Sequence, residues 1–149
     1  MIELKKRILA EVEQLLEEKA TQMRSQLTTI REDASASGKS SMGDKYETTR
    51  EMLKQEELKV AGQLEICEKQ LKQVRSTSMA TANQVTSGSL IRSGKLYFMI
   101  LTSIGKVRVD GQDIFVVSAV APVAKLLLKK KQGESYTFNG KSHQIDELV

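Results

Sequence analysis

The sequence has little of what builds a single large core or a metal site. It contains no tryptophan, and only 4% of its 149 residues are aromatic, which argues against one large core and favours two modest units. Cys67 and His143 are the only residues of their kinds. The chain therefore cannot form an intramolecular disulfide or a Cys/His metal cluster, and a Cys/His nucleophilic pair has little support.

Long apolar runs are also missing. The N-terminus, Met1 to Lys5, lacks the apolar core of a signal peptide, and no stretch approaches the roughly 18 uninterrupted apolar residues that a membrane span needs. We therefore expect a cytoplasmic protein without a membrane partner. The single proline, together with dense Glu, Lys, Gln and Leu in the first half, favours long helices.

Charge is distributed unevenly along the chain. Residues 1–75 hold 14 acidic and 14 basic side chains, whereas residues 76–149 hold 5 acidic and 9 basic ones, so the second half carries the whole net charge of +4. A cationic domain favours an acidic partner surface or nucleic acid, although a solvated face would explain the same excess.

In two stretches of the first half, mostly apolar residues recur with the spacing of a coiled-coil seam, about 3.5 residues per step. The first seam is Leu9, Val12, Leu16, Ala20, Met23, Leu27 and Ile30. The second seam is Tyr46, Thr49, Leu53, Glu56, Val60, Leu64, Cys67, Leu71 and Val74. Small polar residues at 33–43 supply turn chemistry between them. The pattern predicts one antiparallel hairpin of helices 2–31 and 44–75, each about 45 Å long at ~1.5 Å per residue, with Cys67 as a small buried residue.

The pattern changes after residue 75. Residues 76–86 lose the heptad and nearly all charge, which predicts a linker between the hairpin, 1–75, and a second domain, 87–149. The β-rich runs of this domain are Ser89–Arg92, Lys95–Thr102, Lys106–Val109, Asp113–Val117, Ser135–Phe138 and Ser142–Ile145. The turn pairs between successive runs are Ser93-Gly94, Asp110-Gly111 and Asn139-Gly140. They predict three hairpins.

Residues 121–128, with Pro122 near their start, predict a short helix, because proline is tolerated in a first helical turn. The connections between strands are short and no crossover helix fits between most of them. The sequence thus predicts an α+β protein, a helical hairpin followed by a β-rich domain with a mostly antiparallel sheet.

Two acidic residues, Asp44 and Glu47, fall three positions apart at the predicted start of the second helix. This spacing brings both carboxylates onto one face, and Mg²⁺ is commonly held by one or two protein carboxylates with phosphates and water. The same residues also fit a capping box, which satisfies the free backbone N–H groups of a helix start. Both interpretations remain open at the level of the sequence.

Taken together, these features resemble the bacterial transcript-cleavage factors GreA and GreB over nearly the whole chain. The Gly-Asp-x-x-Glu tip motif of that family corresponds to Gly43, Asp44 and Glu47. Its segment Ser-Pro-x-x-x-Ala-Leu-Leu-Gly-Lys-x-x-Gly-Asp corresponds to residues 121–134, with the serine and the first glycine replaced, and Gly88-Ser89-Leu90-Ile91 resembles its opening Gly-Ser-x-Val strand.

The resemblance implies an FKBP-like C-terminal domain that docks on the rim of the RNA polymerase secondary channel. The contact would be the loop and helix around Pro122, bordered by Val123 and Leu126. Lys129, Lys130 and Lys131 would assist by charge, unless they only complement the end of the short helix. The hairpin would thread the channel as a monomer, in transient contact with nucleic acid inside the complex.

At its tip, Asp44 and Glu47 would help to hold a Mg²⁺ shared with the polymerase and promote cleavage of backtracked RNA. The resemblance thus implies a cofactor of the polymerase that is not itself an enzyme and has no tightly bound cofactor of its own.

Other functions stay open. After Asp44 the chain departs from the family motif, and its Ser/Gly tip is longer, which allows a regulator that occupies the channel without promoting cleavage. An FKBP-like fold also allows a prolyl isomerase or chaperone. Most aromatic residues of this half, however, fall where strand alternation places them in the core. Balanced charges on both helices allow a coiled-coil adaptor.

Overall fold

The computed structural model describes the backbone of residues 1–37 and 43–149 and the side chains of residues 1–36 and 47–149. Two long helices come first, α1 at Ile2–Ser37 and α2 at Gly43–Arg75. The elements that follow are β1 (Leu90–Ser93), β2 (Leu96–Ile100), β3 (Gly105–Val109), β4 (Gln112–Val117), α3 (Pro122–Leu127), β5 (Ser135–Phe138), β6 (Lys141–Gln144) and β7 (Glu147–Leu148). The predicted α+β class is confirmed, and α1 continues past its predicted end at residue 31. Within the described residues no helix is long and apolar enough to cross a membrane.

The chain divides into two compact units. One contains Met1–Gln14 together with Lys72–Val149, and the other is Leu15–Leu71. The predicted domain boundaries stay a prediction.

The unit Leu15–Leu71 is a pair of antiparallel helices. The thiol of Cys67 donates a hydrogen bond to the Leu16 carbonyl (3.2 Å), and Arg31 Nε lies 2.8 Å from Glu57 Oε1. Residue numbers of the contacting groups therefore rise along α1 while they fall along α2, which is the antiparallel arrangement. The buried residues along this seam are Leu16, Ala20, Met23, Leu27, Val60, Cys67 and Leu71.

The predicted seam of α2 is wrong at two positions. Thr49 and Glu56 are exposed, and Leu53 is only half-buried. Polar side chains gain nothing from burial without a partner, so they remain in water. The Glu57 carboxylate next to Glu56 reaches Arg31 on α1 instead. Between residues 47 and 59 of α2 no apolar side chain is fully buried, whereas Val60, Cys67, Leu71 and Val74 are.

The second unit contains a five-stranded sheet with the order β3-β4-β2-β1-β7. All neighbours are antiparallel except β2 and β4, which run parallel because the chain passes out to the edge strand β3 and returns. Strands β5 and β6 form a separate antiparallel pair. The three predicted hairpins are confirmed. Two of their turns, Asp110-Gly111 and Asn139-Gly140, have positive φ at both residues, as the tightest hairpin turns require.

The core of this unit lies between the sheet, α3 and the β5–β6 pair. Helix α3 contributes Val123, Ala124 and Leu127 to it, and β5 contributes Tyr136. Val85 is fully buried there, and its N–H donates to the Lys130 carbonyl (2.8 Å). The first helical residues belong to the same unit.

Candidate functional site

The predicted tip site lies at the start of α2. Glu47 is exposed, one turn into the helix. The backbone of Asp44 belongs to α2, but its side chain lies outside the described residues. The pairing of the two acids, and with it the Mg²⁺ site, therefore stays a prediction.

Glu47 lines an open groove of about 550 Å³ in the unit Leu15–Leu71. The other lining residues are Ala34, Arg50, Glu51, Lys54 and Glu57. Acidic and basic side chains alternate around it, so its described part carries little net charge. In the described part of the chain, no three His, Cys, Asp or Glu residues come together as metal ligands.

The predicted docking residues lie on α3 and the loop that follows. Pro122 is the first helical residue and is exposed, Leu126 is 40% exposed, and Val123 is buried at 9% exposure. Ala121, at the position of the family serine, provides no side-chain cap for the helix. Val123 therefore contributes to the core as well as bordering the surface.

Lys129 adopts a left-handed backbone conformation, with φ of 67°. It is in register with the first glycine of the family segment, and Gly133, in register with the second, has φ of 89°. Both residues are tied by hydrogen bonds, from the Lys129 N–H to the Val85 carbonyl (2.9 Å) and from the Gly133 N–H to the Ile145 carbonyl (2.7 Å). The segment thus has a backbone that suits glycine at both positions.

The three lysines are not equivalent. Lys129 and Lys131 are exposed, whereas Lys130 is half-buried and its carbonyl accepts the Val85 N–H. The Glu134 carboxylate accepts a hydrogen bond from the Lys131 backbone N–H, which closes the loop between them. Only two of the three lysines are thus exposed residues.

An aromatic cavity of about 490 Å³ lies beside α3 and was not predicted. The residues that line this cavity are Leu96, Phe98, Phe115, Val117, Val123, Phe138, Asn139, Lys141 and His143. Phe98 is buried as expected, but Phe115 and Phe138 are only half-buried. Phe115 and Phe138 pack against the core cluster that contains Phe98 and Tyr136, and each also leaves part of its ring exposed at the cavity. Val123 joins the cavity to the predicted docking helix.

Comparisons with known proteins give one structural match to report. No family model and no curated protein matches the sequence. A solved structure of the transcription factor Gfh1 matches over 91% of this chain and 92% of its own, at 15% sequence identity and a TM-score of 0.39. A likeness at this level assigns no function.

The described surroundings of Cys67 do not favour catalysis. It is 1% exposed on the hairpin seam, and burial raises the pKa of its thiol. A thiol that keeps its proton is a poor nucleophile. The prediction that Cys67 is a small buried residue is confirmed.

Parallel pairing of β2 with β4 is the feature that sequence reasoning missed. It sets Phe98 directly beside Phe115, with ring centroids 5.7 Å apart. The alternation of Leu96 with Phe98 and of Phe115 with Val117 was visible in the sequence. Their assembly into one wall depended on a pairing between strands that are not consecutive.

Proposed function

We propose that this chain is a Gre-type accessory factor of bacterial RNA polymerase that stimulates the cleavage of backtracked RNA. The observation that carries the proposal is the exposed carboxylate of Glu47, one turn into α2, directly after Gly43-Asp44 and the connection between two long helices. An acid in that position is available to a metal outside the chain. The left-handed backbone at Lys129 and Gly133 supports the resemblance independently, because it falls where the family has glycine.

In the proposed mechanism Asp44 and Glu47 add carboxylate oxygens to a Mg²⁺ held by the polymerase. Held there, the metal would supply neutralisation of phosphate charge and activation of a water molecule. The chain supplies ligands and the polymerase supplies the remaining chemistry, so the chain is a cofactor of that active site.

Docking is assigned to α3 and its following loop. Pro122 and Leu126 present exposed apolar surface, and Lys129 and Lys131 add positive charge beside it. Exposed charges strengthen association mainly at low salt. The affinity for polymerase should therefore fall as salt is raised.

The test uses purified core polymerase, alone and in stalled backtracked complexes. We expect wild type to bind core polymerase, to compete with a known channel occupant, and to accelerate RNA cleavage. Asp44→Asn and Glu47→Gln should bind equally well but lower the cleavage rate at least about tenfold, since each removes a charged ligand. Asn also caps a helix nearly as well as Asp, so the fold should be preserved.

Glu51→Gln is the matched control, because it removes an exposed acid one turn further along the same helix. It should leave cleavage unchanged. Pro122→Ala and the triple change of Lys129, Lys130 and Lys131 to alanine should weaken binding instead. Equal cleavage by wild type, Asp44→Asn and Glu47→Gln would contradict the catalytic role and leave helix capping as the role of these acids. If wild type binds polymerase without stimulating cleavage, the protein is a channel regulator.

The aromatic cavity favours a second candidate, a prolyl isomerase or peptide-binding chaperone, since such sites are apolar and lined by aromatic rings. A proline-peptide isomerisation assay separates the two. We expect no rate above background from an accessory factor of polymerase, and a rate above background would favour the isomerase.

A further inference from the structure

We propose that the outer edge of strand β3 binds an extended segment of a partner protein in which two acidic residues flank an apolar residue. Strand β3 is the first in the sheet order β3-β4-β2-β1-β7 and pairs with β4 alone. Its outer edge is therefore a position where a further strand can be added. The inference concerns an additional partner and does not depend on the proposed role in RNA cleavage.

The backbone of β3 presents the groups that a further strand needs. Val109 and Gln112 flank a two-residue turn, so they exchange both of their backbone hydrogen bonds. Bonded and non-bonded pairs alternate along such a ladder, which places Lys106 and Arg108 at non-bonded pairs. Their N–H and C=O groups therefore point away from β4. None of the described residues forms a backbone hydrogen bond with them at the outer edge.

Two cations lie on one face of this edge. Lys106 and Arg108 are two residues apart, so their side chains point to the same face, where they are 60% and 73% exposed. They share one carboxylate, that of Asp113 on β4, at 3.6 and 3.8 Å. Direct charge-assisted hydrogen bonds are shorter, about 2.7–2.9 Å. Both cations thus keep N–H groups for a second acidic partner, and two cations against one acid leave a positive charge to be balanced.

The positions of these groups define the sequence pattern of the partner. In a strand added to this edge, the residues opposite Lys106 and Arg108 lie on the same face as those cations, and acidic side chains there meet opposite charge. The residue between them falls on the other face, next to Val107, which is buried. A β-branched apolar residue suits that position. The pattern is the same whether the added strand runs parallel or antiparallel to β3.

The same charges disfavour a second copy of this chain as the occupant. Antiparallel pairing of two β3 strands about Val107 would place Lys106 of each copy opposite Arg108 of the other. Like charges directly opposite each other destabilise a strand pair, and charged edges commonly protect proteins from such pairing. An acidic segment turns this repulsion into an attraction, which is why we assign the edge to a partner.

The first experiment is an NMR titration of the full, isotopically labelled chain. One ligand is the capped peptide acetyl-Ser-Thr-Glu-Val-Glu-Thr-Ser-amide, and the other carries lysine at both glutamate positions. We expect the backbone amide signals of Lys106, Val107 and Arg108 to shift with the acidic peptide, and the amide hydrogens of Lys106 and Arg108 to exchange more slowly with solvent. The lysine peptide should bind at least about fivefold more weakly, because attractions become repulsions.

Methylation of the peptide nitrogens separates backbone pairing from charge. In antiparallel addition the N–H groups of the two glutamates face β3, whereas in parallel addition the N–H of the valine does. One acidic peptide is therefore methylated at both glutamate nitrogens and another at the valine nitrogen. We expect one of them to lose binding and the other to keep it, although both retain every charge. Binding that both peptides keep, or that both lose, would overturn the assignment to the strand edge.

Arg108→Pro and Arg108→Ala test the same edge from the side of the chain. Both remove one positive charge, but only proline also removes the outward N–H, and proline is tolerated in an edge strand at that kind of position. We expect the alanine variant to bind the acidic peptide about two- to threefold more weakly, and the proline variant at least about tenfold more weakly. Lys95→Ala removes an exposed charge at the turn between β1 and β2 and should leave the affinity unchanged.

The outcomes distinguish the possible roles of this edge. If Arg108→Pro unfolds at a lower temperature than wild type, the methylated peptides, which leave the chain unaltered, decide the question. Equal affinity for the acidic and lysine peptides, or no shift at β3, would overturn the inference and leave the cations as protection of a free edge. Shifts at β3 that follow the concentration of the protein itself would also overturn it, in favour of a second copy. None of these results bears on binding to polymerase or on RNA cleavage, so the two proposals fail separately.

Discussion

Replacing Lys129 by glycine should stabilise the β-rich unit. Lys129 has φ of 67°, and a left-handed conformation costs a residue with a side chain about 1–2 kcal/mol. Glycine removes this cost but adds about 0.4–1 kcal/mol of conformational entropy to the unfolded chain. The balance is a gain of between about 0 and 1.6 kcal/mol, with a central value of about 0.8 kcal/mol. The Lys129 side chain is exposed, and glycine keeps the backbone N–H that donates to the Val85 carbonyl.

Lys129→Ala provides the matched control, because it removes the same charge and keeps the left-handed cost. Urea unfolding, followed by tyrosine fluorescence and by circular dichroism, compares the three chains. With a slope of about 1–2 kcal/mol per molar urea, the central gain of about 0.8 kcal/mol should raise the midpoint of the glycine variant roughly 0.4–0.8 M above that of the alanine variant. The alanine variant should lie close to wild type.

A glycine variant that unfolds at the same urea concentration as the alanine variant, or below it, would refute the argument from backbone strain. A joint gain of both variants over wild type would instead assign the effect to relief of repulsion among the three adjacent lysines. The two variants should weaken polymerase binding equally, since they lose the same ammonium group.

Three further changes test buried groups in the same unfolding assay. Burial raises the pKa of Cys67, so the folded thiol keeps a proton that the unfolded chain loses above about pH 8.5. The free energy of unfolding of wild type should therefore fall more steeply than that of Cys67→Ala between pH 7 and 9.5. Burial lowers the pKa of Lys5, which is 2% exposed. Lys5→Met should therefore be more stable than wild type at pH 7, by a margin that shrinks as the pH approaches about 10.4. The buried Tyr136 hydroxyl makes no hydrogen bond of good geometry in the described part of the chain, so Tyr136→Phe should change the free energy of unfolding by less than about 1 kcal/mol or increase it. Burial raises the pKa of Tyr136 and a contact with Ser93 lowers it, so a larger loss would show that this contact is strong.

The elements that were predicted well are those encoded locally. A repeat of about 3.5 residues identified both helices because neighbouring turns of a helix present the same face. The pairs Asp110-Gly111 and Asn139-Gly140 identified hairpins because few other dipeptides tolerate two positive φ angles. Strand β7, with only two residues, has too short a pattern to be recognised.

What the sequence could not provide was the pairing of distant strands. Phe98 and Phe115 are separated by β3 and by two turns, and their contact exists only because β2 and β4 pair in parallel. Read strand by strand, each ring looked like a core residue. The cavity is thus a property of the sheet order, which no local pattern encodes.

The seam of α2 illustrates the opposite limit. Spacing alone placed Glu56 among the buried positions, but burying an unpaired carboxylate costs more than the packing it gains. The helix instead leaves Glu56 in water and pairs Glu57 with Arg31 at 2.8 Å. Periodicity identifies the helix face that meets the partner helix, and the chemistry of each residue then decides whether that position is buried.

The two proposed activities reside in different compact units. Glu47 belongs to Leu15–Leu71, and the docking helix with its aromatic cavity belongs to the unit that contains Lys72–Val149. Effects of substitutions add when the sites share no partners. A loss of affinity caused by Pro122→Ala should therefore not deepen the loss of cleavage caused at Glu47 once polymerase is saturated. If the effects of the two substitutions add, docking only positions the chain and the tip acids act only on the reaction. If the double variant departs strongly from the sum, docking and chemistry are coupled through the polymerase.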